Sequence, residues 1–304
     1  ALAHIINFGG IMGLYKYVSF SNLKHLLDGS VRFTQPNAFN DPFELLPEIN
    51  LTEDINGFSI NVLEPARSNE PARLDNAFKS KNCNDVVARE VRNECSNLIG
   101  ILCLSRNPHS LLMWSHYADE YKGAVIEFDE EHEFFTGLSP VKYEPARPKI
   151  DFNLLIDESG YIRLSELYYK PEEWKYEGEV RIARNLQDCK LSGHYKGFDV
   201  YTMEVPLECI KSITIGERMP VEEQRVVFGK IYNTNIALKL AAISNWGYGF
   251  RDELIKFNCP ITEMPPQISP RTAHIFKDLK GELGDIARLL LEKHRMSVMV
   301  NKTA

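Results

Sequence analysis

Residues 14–35 read LYKYVSFSNLKHLLDGSVRFTQ, and this one stretch changes its periodicity twice. LYKYVSF (14–20) is rich in aromatic and β-branched residues and predicts a strand. SNLKHLLDG predicts a short helix with Ser19 or Ser21 as N-cap, Leu23, Leu26 and Leu27 on one face, and Gly29 as the stop. VRFTQ returns to strand character, and PNAFNDPFE is a loop dense in turn residues. The same mixing continues downstream. LIGILCLS (98–105) is an apolar run of the length of a buried strand. HSLLMWSHYADEYKG (109–123) predicts a helix closed by Gly123, and AVIEFD the next strand. EGEVRIA, YTMEV and IKSITIG predict further strands, and Pro220-Val221-Glu222-Glu223-Gln224 opens a helix. Residues 51–97 are polar and predicted helical, with Arg89, Glu90, Arg92 and Glu94 on a wet face. Strands and helices alternate without a regular βα beat, which predicts an α+β fold. Past Pro265-Pro266 an amphipathic pattern, IFKDLKGELGDIARLLLEKHRM, predicts a helical tail. The expected division is a main domain over residues 1–260 and a helical C-terminal appendage over 261–304.

The chain of 304 residues is 44% hydrophobic and 25% charged, an ordinary globular composition. Its net charge of −7 argues against a broad grip on nucleic acid, which needs many Lys and Arg against phosphates. No run approaches the roughly 18 apolar residues of a membrane span. The first residues lack the basic and apolar regions of a signal peptide. Cys83, Cys95, Cys103, Cys189, Cys209 and Cys259 form no C-x-x-C pair, so neither a metal site nor a disulfide framework is expected. These features predict a cytoplasmic protein with reduced thiols and no membrane contact.

Three islands place polar or aromatic groups at the edge of an apolar strand. The first is Tyr15-Lys16-Tyr17-Val18-Ser19 with the loop Phe39-Asn40-Asp41-Pro42-Phe43-Glu44. The second is Trp114-Ser115-His116-Tyr117. The third lies in WKYEGEVRI (174–182), where Glu177, Glu179 and Arg181 are two apart and share one face of a pleated strand. Taken singly, the first two have plain structural accounts. Aromatics at a helix start are usually core, Asn40-Asp41-Pro42 is ordinary turn chemistry, and a lone His116 is usually structural.

Together, LYKYVSF…VRFTQP..FNDPFE, LCLSRN…LMWSHYADEYKGAVIEF, K..EW.YEGEVRI and IKSITIG resemble an uncharacterised bacterial family that includes the AbiGi-type abortive-infection proteins. The resemblance spans roughly residues 14–220 and leaves 221–304 uncovered. More distantly, the chain is similar to toxins of the ADP-ribosyltransferase fold. Their opening Y-H-x-T-H…NL…IL..GGL has its counterpart in Tyr15, Lys16, Tyr17, Ser19, Asn22, Leu23, Leu26, Leu27 and Gly29, with Lys16 in place of the histidine. That resemblance implies a split mixed β-sheet with surrounding helices, and NAD as substrate. It also implies an anti-phage defence toxin that transfers ADP-ribose to a macromolecular acceptor, RNA or DNA ahead of protein, and a neutralising antitoxin as partner.

The residues then take expected roles. Cleavage of the nicotinamide–ribose bond passes through an oxocarbenium-like state, which a carboxylate stabilises. Glu179 suits the ribose and Glu177 the acceptor. Tyr117 or Trp114 would stack on nicotinamide, Lys16 would donate to a ribose or phosphate oxygen, and Arg181 would pair with a glutamate or a diphosphate. Tyr15, Tyr17, Ser19, Asn40 and Asp41 complete the expected NAD site. Three alternatives stand beside this one: hydrolysis of NAD at the same site, a noncatalytic binding module, and a magnesium-dependent nuclease built on Glu173, Lys175 and Asp151 or Asp157.

Overall fold

The computed structural model describes residues 13–50, 59–60, 72–73, 84–155 and 161–294. Strand β1 (Leu14–Val18) is followed by α1 (Phe20–Leu27), and Ser19 divides them. Its Oγ accepts the Asn22 N–H at 3.4 Å, so the strand expected to reach residue 20 stops at a helix cap. Leu23, Leu26 and Leu27 are the buried stripe of α1, and Gly29 at φ +81° turns the chain into β2 (Ser30–Phe33). Strand β3 (Glu48–Asn50) precedes a short antiparallel pair, β4 (Ser59–Ile60) and β5 (Ala72–Arg73). The helix expected over residues 51–97 is therefore interrupted by strands. Among the described residues it is confined to α2 (Asn84–Leu98), and the rest of 51–83 lies outside them.

The apolar run becomes β6 (Ile99–Ser105), followed by α3 (Leu111–Tyr117) and β7 (Ala124–Phe128). Helix α3 ends at Tyr117, short of Gly123, because Asp119, Glu120 and Tyr121 adopt positive φ and fold the chain back. Gly123 serves a different need. A Cβ there would sit 2.0 Å from the Val18 carbonyl oxygen, so only glycine lets this turn pass β1. Next come β8 (Ser139–Pro140), β9 (Lys142–Glu144), β10 (Lys149–Asp151), α4 (Phe152–Leu155) and β11 (Tyr169–Pro171). β12 (Glu179–Asn185), β13 (Lys190–Tyr195), β14 (Phe198–Glu204) and β15 (Ile210–Gly216) follow. The chain continues with α5 (Val221–Ile231), β16 (Ala237–Ile243), β17 (Phe250–Lys256), α6 (Ala273–Phe276) and α7 (Glu282–Lys293).

Eight strands form one mixed sheet in the order β17-β16-β15-β7-β1-β6-β12-β8. Within this sheet, among the described residues, only β15 and β16 pair in parallel, joined by the crossover helix α5. With helices packed on this sheet, the fold is α+β. Strand alternation divides its core. Leu14 and Val18, Ile126 and Phe128, Ile213 and Ile215, Leu238 and Leu240 belong to the largest cluster, whereas Tyr17, Val125 and Ala241 point the other way onto Trp114. A further cluster joins α2 to Ile99, Ile101, Phe152 and Tyr168. Ala273, Ile275, Phe276 and Ala287 enter the largest cluster, with Phe276 edge-on to Phe228 of α5 at 5.0 Å. The helical tail thus packs on the sheet's own core.

One discontinuity positions the site. β6 pairs with β12 from Ile99 opposite Asn185 to Ser105 opposite Glu179, and β1 pairs with β7 along its whole length. Between β1 and β6, in contrast, the register holds a single pair, Tyr15 opposite Ser105. Past it the strands part, and the Lys16 Nζ spans the gap to donate to the Cys103 carbonyl at 3.0 Å.

Candidate functional site

A cleft of about 290 Å³ opens where β1 leaves β6. Its walls come from Tyr15, Lys16 and Tyr17 of β1, Arg32 and Thr34, Cys103 to Ser105 of β6, Asn40 and Glu44, Tyr117, Lys170, Glu177 and Glu179. Distant segments supply these residues, and one cluster of charges binds them together.

Lys170, at the middle of β11, is the hub. Its Nζ lies 2.6 Å from Glu177 Oε2, 2.7 Å from Glu179 Oε2 and 3.3 Å from Glu44 Oε1. Arg181, fully buried, grips Glu179 through Nε at 2.9 Å and Nη2 at 3.1 Å, and Nη2 also pairs with Glu44. The guanidinium lies over the rings of Phe39 and Tyr168, 5.2 Å from each centroid. Glu177 Oε1 accepts the Tyr117 hydroxyl at 2.6 Å, and Asn40 Nδ2 reaches that same hydroxyl at 3.4 Å. The Tyr143 hydroxyl accepts the Glu179 N–H at 2.8 Å, fixing the first residue of β12.

Burial and charge set the protonation of this cluster. Burial alone would push the Glu179 carboxyl up, but Arg181 and then Lys170 overcome it and hold the group down at about 2. Glu44 shares both cations, yet burial wins there and its carboxyl is raised. Two carboxylates on one guanidinium thus divide into one held firmly anionic and one that keeps its proton longer. Burial works against the Lys170 ammonium, while Glu179 and Glu44 more than offset it, so its pKa is raised and the lysine stays charged. Burial, then the bond to Glu177, raises the Tyr117 phenol. Burial, then Glu179, raises the Cys103 thiol well above its ordinary value. Lys16 is lowered by burial.

Several expected site residues are placed elsewhere. Glu177 does not share a strand face with Glu179: it ends a 3₁₀ turn, Glu172–Glu177, and Gly178 at φ +50° swings the chain before β12 begins. The two carboxylates meet through Lys170 instead. Arg181 is enclosed by Glu179 and Glu44 and does not line the cleft, which removes it as a diphosphate ligand. Ser19 caps α1, and Asp41 is buried with Oδ1 accepting the Phe43 N–H at 2.9 Å, so neither lines the cleft. Trp114 is core, edge-on to Tyr17 at 5.8 Å and tilted against Phe250 at 5.6 Å. Tyr15, Lys16, Tyr17, Asn40, Tyr117, Glu177 and Glu179 do converge on the cleft. Of the nuclease set, Asp151 accepts from Asn50 at 3.2 Å away from the cleft lining, and Asp157 lies outside the described residues. Among the described residues no group of three His, Cys, Asp or Glu is placed to hold a metal, and no helix is long and apolar enough to cross a membrane.

Lys170, Glu44 and Arg32 stand in the stretches singled out from the sequence, but none was given a site role there. Glu44 closes the FNDPFE loop, and Arg32 is the one charge in the apolar alternation of VRF, so both carried a weak signal. Lys170 opens the quoted pattern K..EW.YEGEVRI, but no role was read from it there. No curated protein and no solved structure matches the chain. Residues 113–182, which supply Tyr117, Lys170, Glu177, Glu179 and Arg181, are similar to the family DUF2971, described as a protein of unknown function.

Proposed function

We propose that the cleft binds NAD and breaks its nicotinamide–ribose bond, passing ADP-ribose to a macromolecular acceptor, as in toxins of bacterial defence with the ADP-ribosyltransferase fold. The observation that carries this reading is Glu179, held anionic and mostly buried at the point where a mixed sheet parts. A fixed anion beside C1′ stabilises the positive charge that develops as the C1′–N bond lengthens and neutral nicotinamide leaves. Glu177 then takes the proton of the attacking acceptor as its oxygen or nitrogen bonds to C1′. RNA or DNA is favoured over protein as acceptor by the resemblance to base-modifying toxins, and a neutralising antitoxin follows from the same likeness.

The test is release of nicotinamide from NAD labelled on the adenylate, with the label followed into macromolecule or into free ADP-ribose. Glu179→Gln is expected to slow release by at least about 10²-fold while NAD affinity changes little. Circular dichroism on the same samples must first show that the variant is folded, because its carboxylate also pairs with Arg181. A folded Glu179→Gln variant with near-normal turnover removes Glu179 from the mechanism.

One observation favours a second reading, a binding module without catalysis. Glu179 already accepts two bonds from Arg181 and one from Lys170, which leaves a ribose hydroxyl little room to donate. Binding of NAD with no release of nicotinamide under any condition would establish this reading in place of the first.

A further inference from the structure

Charges of both signs line the cleft. Glu44, Glu177 and Glu179 line it together with Lys170, which pairs with all three. Lys16 and Arg32 line it too, and neither makes an ion pair with a carboxylate among the described residues. Lys16 donates only to a backbone carbonyl. Arg32 has a buried Nε with no hydrogen-bond partner, and Thr34 lines the same wall. Burial lowers the pKa of both cations, and the groups near them, Cys103 and Glu179 at Lys16 and Tyr195 at Arg32, offset it only in part. Arg32 stands on β2 between Val31 and Phe33, whose burial fixes its strand face. Arg92 Nε and Arg181 Nη1 are also buried without a partner, but of the three arginines only Arg32 lines the cleft.

We propose that Arg32 and Lys16 form an anion subsite for a phosphoryl group, so that the ligand of this cleft is a phosphate ester lying with its phosphates at Arg32 and its sugar toward Glu179. Guanidinium donors match two oxygens of one phosphate in a planar fork, and the ammonium adds a point charge. Glu44, Glu177 and Glu179 disfavour a phosphate at their own part of the lining, because like charges repel. The phosphate site stands on Arg32 and Lys16 alone. Only the placement of the sugar rests on the proposed function.

Titration calorimetry of the full chain tests it with inorganic pyrophosphate, ADP-ribose and nicotinamide riboside, which carries no phosphate. Pyrophosphate and ADP-ribose are expected to bind. Arg32→Gln should weaken both by about 10–100-fold, the loss of a charge-assisted pair, and leave nicotinamide riboside within about twofold. Arg32→Lys should recover part of the loss. Equal affinity of Arg32→Gln and wild type for pyrophosphate and ADP-ribose overturns the subsite, and so does no binding of either by wild type. The two proposals fail separately. Arg32-dependent binding of pyrophosphate without any cleavage of NAD keeps the subsite and ends the cleavage reading. Cleavage of NAD with an unchanged KM in Arg32→Gln does the reverse.

Discussion

Arg181→Leu is expected to cost about 3–5 kcal/mol of stability, the range for removing one partner from a buried ion cluster. Leucine fills much of the space between Phe39 and Tyr168, so most of this loss is electrostatic: Glu44 and Glu179 would be left buried with Lys170 as their only cation. Urea unfolding measures it directly. The sign of the pH dependence is a second check. In the wild type Glu179 is held at about 2, below the ordinary carboxylate value of about 4.3. Its contribution is complete above 4.3 and is lost as pH falls toward 2. Without Arg181 the same carboxyls rise above their unfolded values, so the folded state binds the extra protons. The deficit of the variant should therefore shrink as pH is lowered from 7 toward 5. Adding Glu44→Gln removes one stranded charge and should return more than about 1 kcal/mol. A loss under about 1 kcal/mol in Arg181→Leu would show that the cluster does not hold the fold.

Trp114→Ala should have a comparable effect, about 3–5 kcal/mol, because it empties the centre of the cluster formed with Tyr17, Val125, Ala241 and Phe250. Tyr117, three residues on, has a different task. Its hydroxyl donates to Glu177, and Tyr117→Phe keeps the ring while freeing that oxygen. This variant is expected to keep its thermal midpoint within a few degrees and to lose NAD turnover. Thermal melts of the two variants side by side separate the roles; a Trp114→Ala protein as stable as wild type would contradict the packing.

What the sequence disclosed follows the range of the forces involved. The cap at Ser19, the stripe of α1 and the apolar run of β6 are local patterns, and each is found where its residues predict it. Glu177 and Glu179 were visible as a pair, but a left-handed Gly178 between them is not a pattern, so their strand-mate geometry was misjudged. Lys170 opens the same pattern as Glu177 and Glu179, but its role as hub was hidden because the third glutamate it holds, Glu44, comes from a distant segment. Trp114 and Tyr117 share one helix and read alike. Only the closing of β1 against β7 decides that one is core and the other lines the cleft.

The parting of β1 from β6 also bears on the order in which the molecule assembles. β15, α5 and β16 are neighbours in the chain and close a unit by local contacts, whereas β1 must wait for β7, residues 124–128, and β6 for β12, residues 179–185. Long-range pairings carry the greater loop-closure entropy and form late. Pulse-labelled hydrogen exchange should find the amides of β15 and β16 protected before those of β1. Early protection of β1 would refute that sequence of events. The cleft would then be among the last features to appear on folding, and a chain that is only partly folded would carry no binding site at all.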